Sequence, residues 1–105
     1  ALVNAPGGVE TNRKAIQIEL IAFAAQAASW TEEMYEHTAD LMRWIEFHCD
    51  VERRFEIPLT PYPGSPRRFS ASEWNAYDGW CGHQNVPENS HGDPGALKTD
   101  LLLDK

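Results

Sequence analysis

Two histidines and an aspartate, His83, His91 and Asp93, stand close together in residues 80–95, a segment rich in Pro, Gly and Asn. These residue types favour turns, so the chain can fold back and bring His83 and Asp93 together. Neutral imidazole nitrogen and carboxylate oxygen both bind zinc, and a catalytic zinc site uses three protein ligands and one water. The pattern predicts half of a metal site, with a third ligand from elsewhere. The alternative is that these histidines are solvated or hydrogen-bonded to the backbone.

The order of residues in this segment is similar to a motif of a known protein family. Residues 82–87 read Gly-His-Gln-Asn-Val-Pro, and residues 91–95 read His-Gly-Asp-Pro-Gly. Together they resemble the last metal-ligand segment of the zinc N-acetylmuramoyl-L-alanine amidases, a family that includes phage endolysins, bacterial cell-wall amidases and peptidoglycan recognition proteins. The resemblance implies that His83 is the second zinc-ligand histidine and that Asp93 is the third ligand.

Two positions depart from the family's pattern. Asn85 stands where Asp is usual, which leaves the metal ligands in place. His91 stands where many members carry a Lys that stabilises the tetrahedral oxyanion. The resemblance therefore implies a catalytic role for His91 that depends on protonation of its imidazole, whose unperturbed pKa is about 6.5. As a third metal ligand, His91 is disfavoured because it lies only two residues from Asp93.

A second candidate catalytic residue, Glu19, lies in residues 15–24. Apolar residues alternate there with Gln17 and Glu19, and this period of two predicts an interior strand. A carboxylate in a buried strand needs a partner or a water-filled cleft. In one interpretation Gln17 and Glu19 simply face solvent. The resemblance instead implies that Glu19 lies beside the zinc-bound water and accepts its proton.

The elements that position these residues follow from capping and periodicity. The pattern Ser29-x-x-Glu32 predicts a helix start, followed by an apolar stripe and an end near Phe55. The stripe comprises Met34, Thr38, Leu41, Met42, Ile45 and Cys49. We expect this helix to cover a sheet, and we interpret its His37 and His48 as surface or packing residues.

The second half of the chain is predicted to be a series of short elements. A proline-rich connector at 57–66 carries Tyr62, which the resemblance places at the rim of the substrate groove. A capped turn or helix follows at 69–78, then a brief strand at 79–82 that delivers His83, and a closing helix from Ala96. Three aromatic residues are expected in the core and two cysteines as free thiols: Trp74, Tyr77, Trp80, Cys49 and Cys81.

The predicted fold class is α/β, a mixed β-sheet flanked by helices as in the amidase and peptidoglycan-recognition domains. Residues 1–105 would form the C-terminal portion of a single catalytic domain that lacks its N-terminal strands. Residues 1–13 read as a loop, and the first zinc-ligand histidine is expected in a missing N-terminal segment or a partner fragment. With two ligands alone, the site would hold zinc weakly.

Charge and hydropathy restrict the partners. The net charge is −7, with 9 basic and 16 acidic residues, which argues against nucleic acid or an anionic membrane surface. The Arg53-Arg54 and Arg67-Arg68 pairs are interpreted as solvated surface charges. The longest apolar run, residues 20–25, is far shorter than the roughly 18 residues of a membrane-spanning helix.

The function that the resemblance implies is zinc-dependent hydrolysis of the amide between N-acetylmuramic acid and L-alanine in peptidoglycan. Residues 7–12, Gly-Gly-Val-Glu-Thr-Asn, also resemble phage amidases and favour an endolysin, which would act from the host cytoplasm on the cell wall. Another amidase would be secreted or periplasmic. The alternatives are a non-catalytic peptidoglycan-binding module, an inactive amidase fragment and a metal-free interaction domain. The non-catalytic recognition proteins usually lose the Cys or Asp ligand, so the presence of Asp93 favours hydrolysis.

Overall fold

Short helices and irregular connections make up the chain. The computed structural model describes residues 15–87 and 89–104, so the predicted loop at 1–13 and the endolysin-like residues 7–12 lie outside the described residues. Within them, α1 spans Glu32–Cys49, α2 spans Ala71–Ala76 and α3 spans Thr99–Asp104. Two 3₁₀ helices span Ala24–Ser29 and His83–Asn85.

The predicted α/β fold with a mixed sheet is wrong for this structure. Across the described ranges, strand-like pairing is confined to one isolated parallel bridge between Phe55 and Trp80. Residues 15–20 form no regular element, and the chain then enters a 3₁₀ helix where the strand was expected to continue. A period-two pattern describes which side chains could share a face, but a strand also needs neighbouring backbone for its hydrogen bonds. The predicted strands at 15–24 and 79–82 find no such ladder.

Helix α1 begins later and ends earlier than the pattern predicts. Its N-cap is Thr31, whose hydroxyl accepts a hydrogen bond of 3.2 Å from the Met34 amide, so the predicted start at Ser29 is wrong. Ser29 itself closes the preceding 3₁₀ helix. The helix ends at Cys49 because Asp50 takes the left-handed conformation, with φ of 55°.

The buried face of α1 is rotated from the predicted stripe. Met42 and Ile45 are buried as expected, but Tyr35 and Ala39 complete the inner face. Leu41, predicted to be inside, is exposed, and so is Cys49. Trp44 and Phe47 are also exposed, so the helix carries apolar residues on two faces and buries one of them.

Two clusters form the core. The larger cluster joins α1 to α3. The smaller cluster packs around α2 beside residues 83–93, which carry the candidate ligands and are called the metal-ligand loop below. Trp74 is buried and Trp80 and Tyr77 pack against the clusters, which confirms their predicted core positions. The buried members are Ala27, Tyr35, Met42, Leu59, Leu97 and Leu102 in the larger cluster, and Ile57, Phe69, Trp74 and Val86 in the smaller.

The carboxylate of Glu46 ties α1 to the segment that leads into the metal-ligand loop. It accepts hydrogen bonds from Arg43 at 2.7 Å, from Arg53 at 2.9 Å and from the Trp80 indole at 2.9 Å. Burial raises the pKa of Glu46, but these hydrogen bonds outweigh it and hold the pKa below its ordinary value. Glu46 therefore stays ionised and anchors Trp80 three residues before His83.

Helix α2 forms within residues 69–78, where a capped turn or helix is predicted, and Ser70 caps it. The Ser70 hydroxyl accepts from the Glu73 amide at 3.2 Å, and the Glu73 carboxylate accepts from the Ser70 amide at 2.8 Å. Both cysteines are free thiols, as predicted, and burial raises the pKa of Cys81 to about 11. None of the helices in the described ranges combines the length and apolar character needed to cross a bilayer.

Adjacent substitutions in α1 test which face is buried. Met42 is 2% exposed and Leu41 is 44% exposed. We expect Met42→Ala to lower the free energy of unfolding by about 2–5 kcal/mol, since it leaves a cavity in the core. Leu41→Ala, the matched control, should cost less than about 1 kcal/mol. Urea unfolding measures both, and a loss in Leu41→Ala as large as that in Met42→Ala would contradict the burial of the Met42 face alone.

Candidate metal centre

A buried amide fixes the start of the metal-ligand loop. Asn85 is fully buried, and its side-chain oxygen accepts a hydrogen bond of 3.0 Å from the Gly82 amide. Its side-chain nitrogen donates to the Arg67 carbonyl at 2.8 Å. The residue at the family's usual Asp position therefore has a structural role here, because it closes the turn around His83.

A second buried amide, that of Gln84, joins the two arms of the loop. Its backbone amide donates to the Asp93 carbonyl at 2.8 Å, and its side-chain nitrogen donates to the Gly92 carbonyl at 3.0 Å. The side-chain oxygen accepts from the Thr60 amide at 2.8 Å, and the nitrogen also reaches the Thr60 carbonyl at 3.1 Å. Gln84 thus holds the arm that carries His83 against the arm that carries Asp93.

The three candidate residues meet between these arms. His83 Nδ1 lies 3.2 Å from one Asp93 carboxylate oxygen, and His91 Nδ1 lies 3.8 Å from the other. The two imidazole rings stack with centroids 4.1 Å apart and planes inclined by 17°. One ligand atom from each residue lies within 4.8 Å of the other two, so His83, His91 and Asp93 form a group that could hold a metal ion. His91, which the sequence disfavours as a ligand, belongs to this group.

The donor types suit a small cation, and the stacked imidazoles must turn before both can direct a nitrogen at one ion. Bonds of 2.0–2.1 Å in a tetrahedral zinc site place the ligand atoms about 3.3 Å apart, so the group has to close only modestly. Nε2 of His83 is buried and has no hydrogen-bond partner among the residues that the structure describes. His83 Nδ1, which lies 3.2 Å from the Asp93 carboxylate, is the ring nitrogen that could share a cation with Asp93.

The protonation state of His83 favours metal binding. Burial lowers the pKa of His83 below its ordinary value, and the nearby His91 and Arg68 lower it further. The carboxylate of Asp93 opposes this effect only in part. The neutral imidazole, which is the form that binds metals, is therefore the form present near pH 7.

Arg68 contacts the candidate site, although the sequence pattern did not predict it as a site residue. Its Nη1 donates to the Gln84 carbonyl at 2.6 Å and to the Asn89 side-chain oxygen at 3.2 Å, and its Nη2 donates to the His91 carbonyl at 3.0 Å. The interpretation of Arg68 as a solvated surface charge is therefore wrong. No spacing signal distinguishes it from its neighbour Arg67, because the distinction arises from the direction of each side chain in the folded loop.

An open cleft adjoins the candidate ligands. It has a volume of about 400 Å³ and is lined by residues 22–25 on one side and by Tyr62, His91 and Asp93 on the other. Gly92 packs against the Tyr62 ring so closely that a Cβ atom there would lie 2.6 Å from the ring. Tyr62 therefore lies beside the candidate site.

Glu19 is not brought into the metal-ligand group. Its side chain is exposed, and it lies three residues before Ala22 in the wall of the cleft. The strand that was predicted to carry it is not formed. Of the four site residues predicted from sequence, the structure brings together His83, His91 and Asp93 and leaves Glu19 apart.

Comparison with protein-family models, with curated proteins and with solved structures gives no match. The function is therefore inferred from the chain's own chemistry. Two imidazoles and one carboxylate beside an open cleft can bind a divalent cation and leave it accessible to a small ligand.

Substitution of Gln84 tests whether its side-chain amide holds the two arms of the loop together. Gln84→Ala leaves the Thr60 amide and two carbonyls without their partner, so we expect a loss of about 2–4 kcal/mol in the free energy of unfolding. Gln26→Ala, at an exposed glutamine, is the control and should change stability by less than about 0.5 kcal/mol. An equal effect of the two substitutions in urea unfolding would contradict the role of Gln84.

The lowered pKa of His83 predicts a pH dependence of stability. The unfolded chain, with a His pKa near 6.5, takes up the proton before the folded chain does. The metal-free protein should therefore be fully stable above that value and lose stability as the pH falls through the lower, folded pKa. Urea unfolding at about pH 7.5 and about pH 5.5 measures this loss, which should be smaller in His83→Gln. Equal losses in both proteins would contradict it.

Proposed function

We propose that this chain binds zinc through His83, His91 and Asp93 and belongs to a zinc-dependent N-acetylmuramoyl-L-alanine amidase of the phage endolysin type. The observation that carries the proposal is the convergence of one ligand atom from each of the three residues within 4.8 Å. The substrate would be the amide that links N-acetylmuramic acid to L-alanine in peptidoglycan.

The ligand types support zinc over calcium and magnesium. Calcium and magnesium prefer oxygen ligands, whereas two imidazoles and one carboxylate suit a borderline metal. Two histidines and one carboxylate are also a known ligand set of catalytic zinc, with the fourth position open to water. The described chain places two nitrogen donors and one oxygen donor together.

The resemblance of residues 82–87 and 91–95 to the last ligand segment of the amidases supports the choice of substrate. It implies that His83 and Asp93 are the second and third zinc ligands, whereas the structure offers His91 as a further candidate beside them. His91 therefore has two proposed roles, as third ligand in the isolated chain or as the oxyanion donor that replaces the family's Lys. The zinc affinity of a His91 variant distinguishes them.

A bound zinc ion would supply Lewis acidity, which polarises the carbonyl of the amide and lowers the pKa of a water molecule. The chain's own residues would hold that ion and shape the approach of the substrate. Tyr62, half exposed beside His91, offers an aromatic wall to the cleft. Glu19, which lies outside the metal-ligand group, remains the proposed proton acceptor.

The exposed position of Glu19 favours a second candidate function. With no carboxylate base in the metal-ligand group beyond Asp93, this chain could bind peptidoglycan without cleaving it, as an inactive amidase fragment or a binding module. Zinc binding is common to both candidates, and hydrolysis separates them.

Zinc content tests the metal site. The purified chain should hold one zinc ion, measured by elemental analysis after dialysis, and His83→Ala and Asp93→Ala should lose it because each removes a ligand. His37→Ala, at an exposed histidine of α1, is the matched control and should retain it. His91→Ala loses zinc if His91 is a ligand and retains it if His91 is the oxyanion donor. A folded wild-type chain without zinc would refute the proposal.

Peptidoglycan digestion tests the reaction. An amidase releases stem peptides with a new L-alanine amino terminus and no new reducing sugar ends. We expect this product from the zinc-loaded chain and a loss of at least about a hundred-fold in Glu19→Gln, as for a general base. Sedimentation with peptidoglycan without product would favour the binding module. New reducing ends would contradict amide cleavage.

A further inference from the structure

The guanidinium of Arg68 spans the two arms of the metal-ligand loop. One nitrogen donates to the carbonyl of Gln84, the residue after His83, and another donates to the carbonyl of His91. We propose that Arg68 is a positioning residue that sets the separation of the His83 and His91 rings for cation binding. This inference rests on the metal site proposed above.

The contacts require the shape of a guanidinium. Nη1 reaches the Gln84 carbonyl at 2.6 Å and the Asn89 side chain at 3.2 Å, while Nη2 reaches the His91 carbonyl at 3.0 Å. Arginine presents several N–H donors in a rigid planar fork, whereas lysine is a point charge on a flexible stem. A lysine ammonium at this position could not hold both carbonyls at the separation that the fork imposes.

The acceptors of Arg68 are neutral. Each hydrogen bond that its guanidinium makes within the described ranges ends on a carbonyl or amide oxygen. Its neighbour Arg67 instead pairs with the exposed Glu73 carboxylate at 2.8 Å. In a chain with an excess of acidic residues, a half-buried guanidinium directed at three neutral oxygens of one loop indicates a geometric role.

The backbone that carries the Arg68 side chain is anchored in the core. Phe69, the next residue, is 4% exposed in the smaller core cluster, and its amide donates to the Asn85 carbonyl at 2.8 Å. Ser70 then caps α2. The base of the Arg68 side chain is therefore anchored to the core, and the loop is positioned relative to it.

Arg68 acts chiefly on His91. The arm that carries His83 is also held by the buried Asn85, and the arm that carries Asp93 is held by Gln84. The His91 carbonyl is anchored outside the loop by Arg68, while the His91 amide bonds within the loop to Asn89 at 2.7 Å. Without the fork, the His91 carbonyl loses its anchor outside the loop, and the spacing between the His83 and His91 backbones is held less firmly.

The test compares Arg68→Gln, Arg68→Lys and the matched control Arg67→Gln, with Co²⁺ as the spectroscopic probe and Zn²⁺ as competitor. Arg68→Gln should weaken metal binding by about 10–100-fold, the usual effect of removing an orienting residue. Arg68→Lys should resemble Arg68→Gln, because charge without the fork does not restore the geometry. Arg67→Gln should bind like the wild-type chain.

A purely structural role is excluded by two further readouts. The saturated Co²⁺ complex of Arg68→Gln should show a weaker and shifted visible absorption, since the coordination geometry changes. Arg68→Gln should still be folded without metal at the temperature of the titration, as shown by its circular dichroism. Wild-type affinity in Arg68→Gln, restoration by Arg68→Lys or an unchanged Co²⁺ spectrum would each overturn the inference.

Failure of the metal site itself is distinguishable. If the wild-type chain binds no Co²⁺ or Zn²⁺, the proposed function fails, and the positioning role is tested in the metal-free protein by NMR. Contacts between the His83 and His91 ring protons should then be present in the wild type and in Arg67→Gln and lost in Arg68→Gln. Their persistence in Arg68→Gln would overturn the inference.

Discussion

The candidate site depends on one constraint, the satisfaction of a fully buried glutamine. The Gln84 amide has no access to water, so its donors and acceptor must be met by the protein. They are met by Thr60 and Gly92, which fixes the proline-rich connector and the returning arm of the loop against His83. The proximity of His83 to Asp93 follows from this pairing, and the lowered pKa of His83 follows from the burial that accompanies it.

The sequence predicts some local features correctly because contacts between residues close in the chain determine them. The turn-rich composition of residues 80–95 brings His83 to Asp93, and α2 forms within residues 69–78, where a capped turn or helix was predicted. The capping box predicted at Ser29 is wrong, because Thr31 caps α1 through its contact with Met34. The sheet was predicted wrongly because alternation at Glu19 describes side chains and not the backbone partners that a strand needs. Arg68 was missed because its role lies in long-range contacts to carbonyls, which carry no sequence signature.

Helix α1 illustrates the same limit. Its sequence carries apolar residues on two faces, and which face is buried depends on what packs against it. The predicted stripe with Leu41 inside assumed a sheet as the partner. In the structure α1 packs against α3, so Ala39 and Met42 face the core, while Trp44 and Phe47 are exposed. Periodicity therefore predicts the helix and leaves its orientation to tertiary contacts.

The candidate ligands all come from residues 83–93, so a bound cation would close only a short loop. The entropy lost on closing a loop grows with its length, so bringing the ends of so short a segment together costs little. A cation at this site would order one loop and would leave the packing of α1 on α3 almost untouched. Partly unfolded chains that keep Arg68 and Gln84 in place would therefore retain much of their affinity for the cation. The metal would stabilise this loop locally and contribute little to the cooperativity of global unfolding.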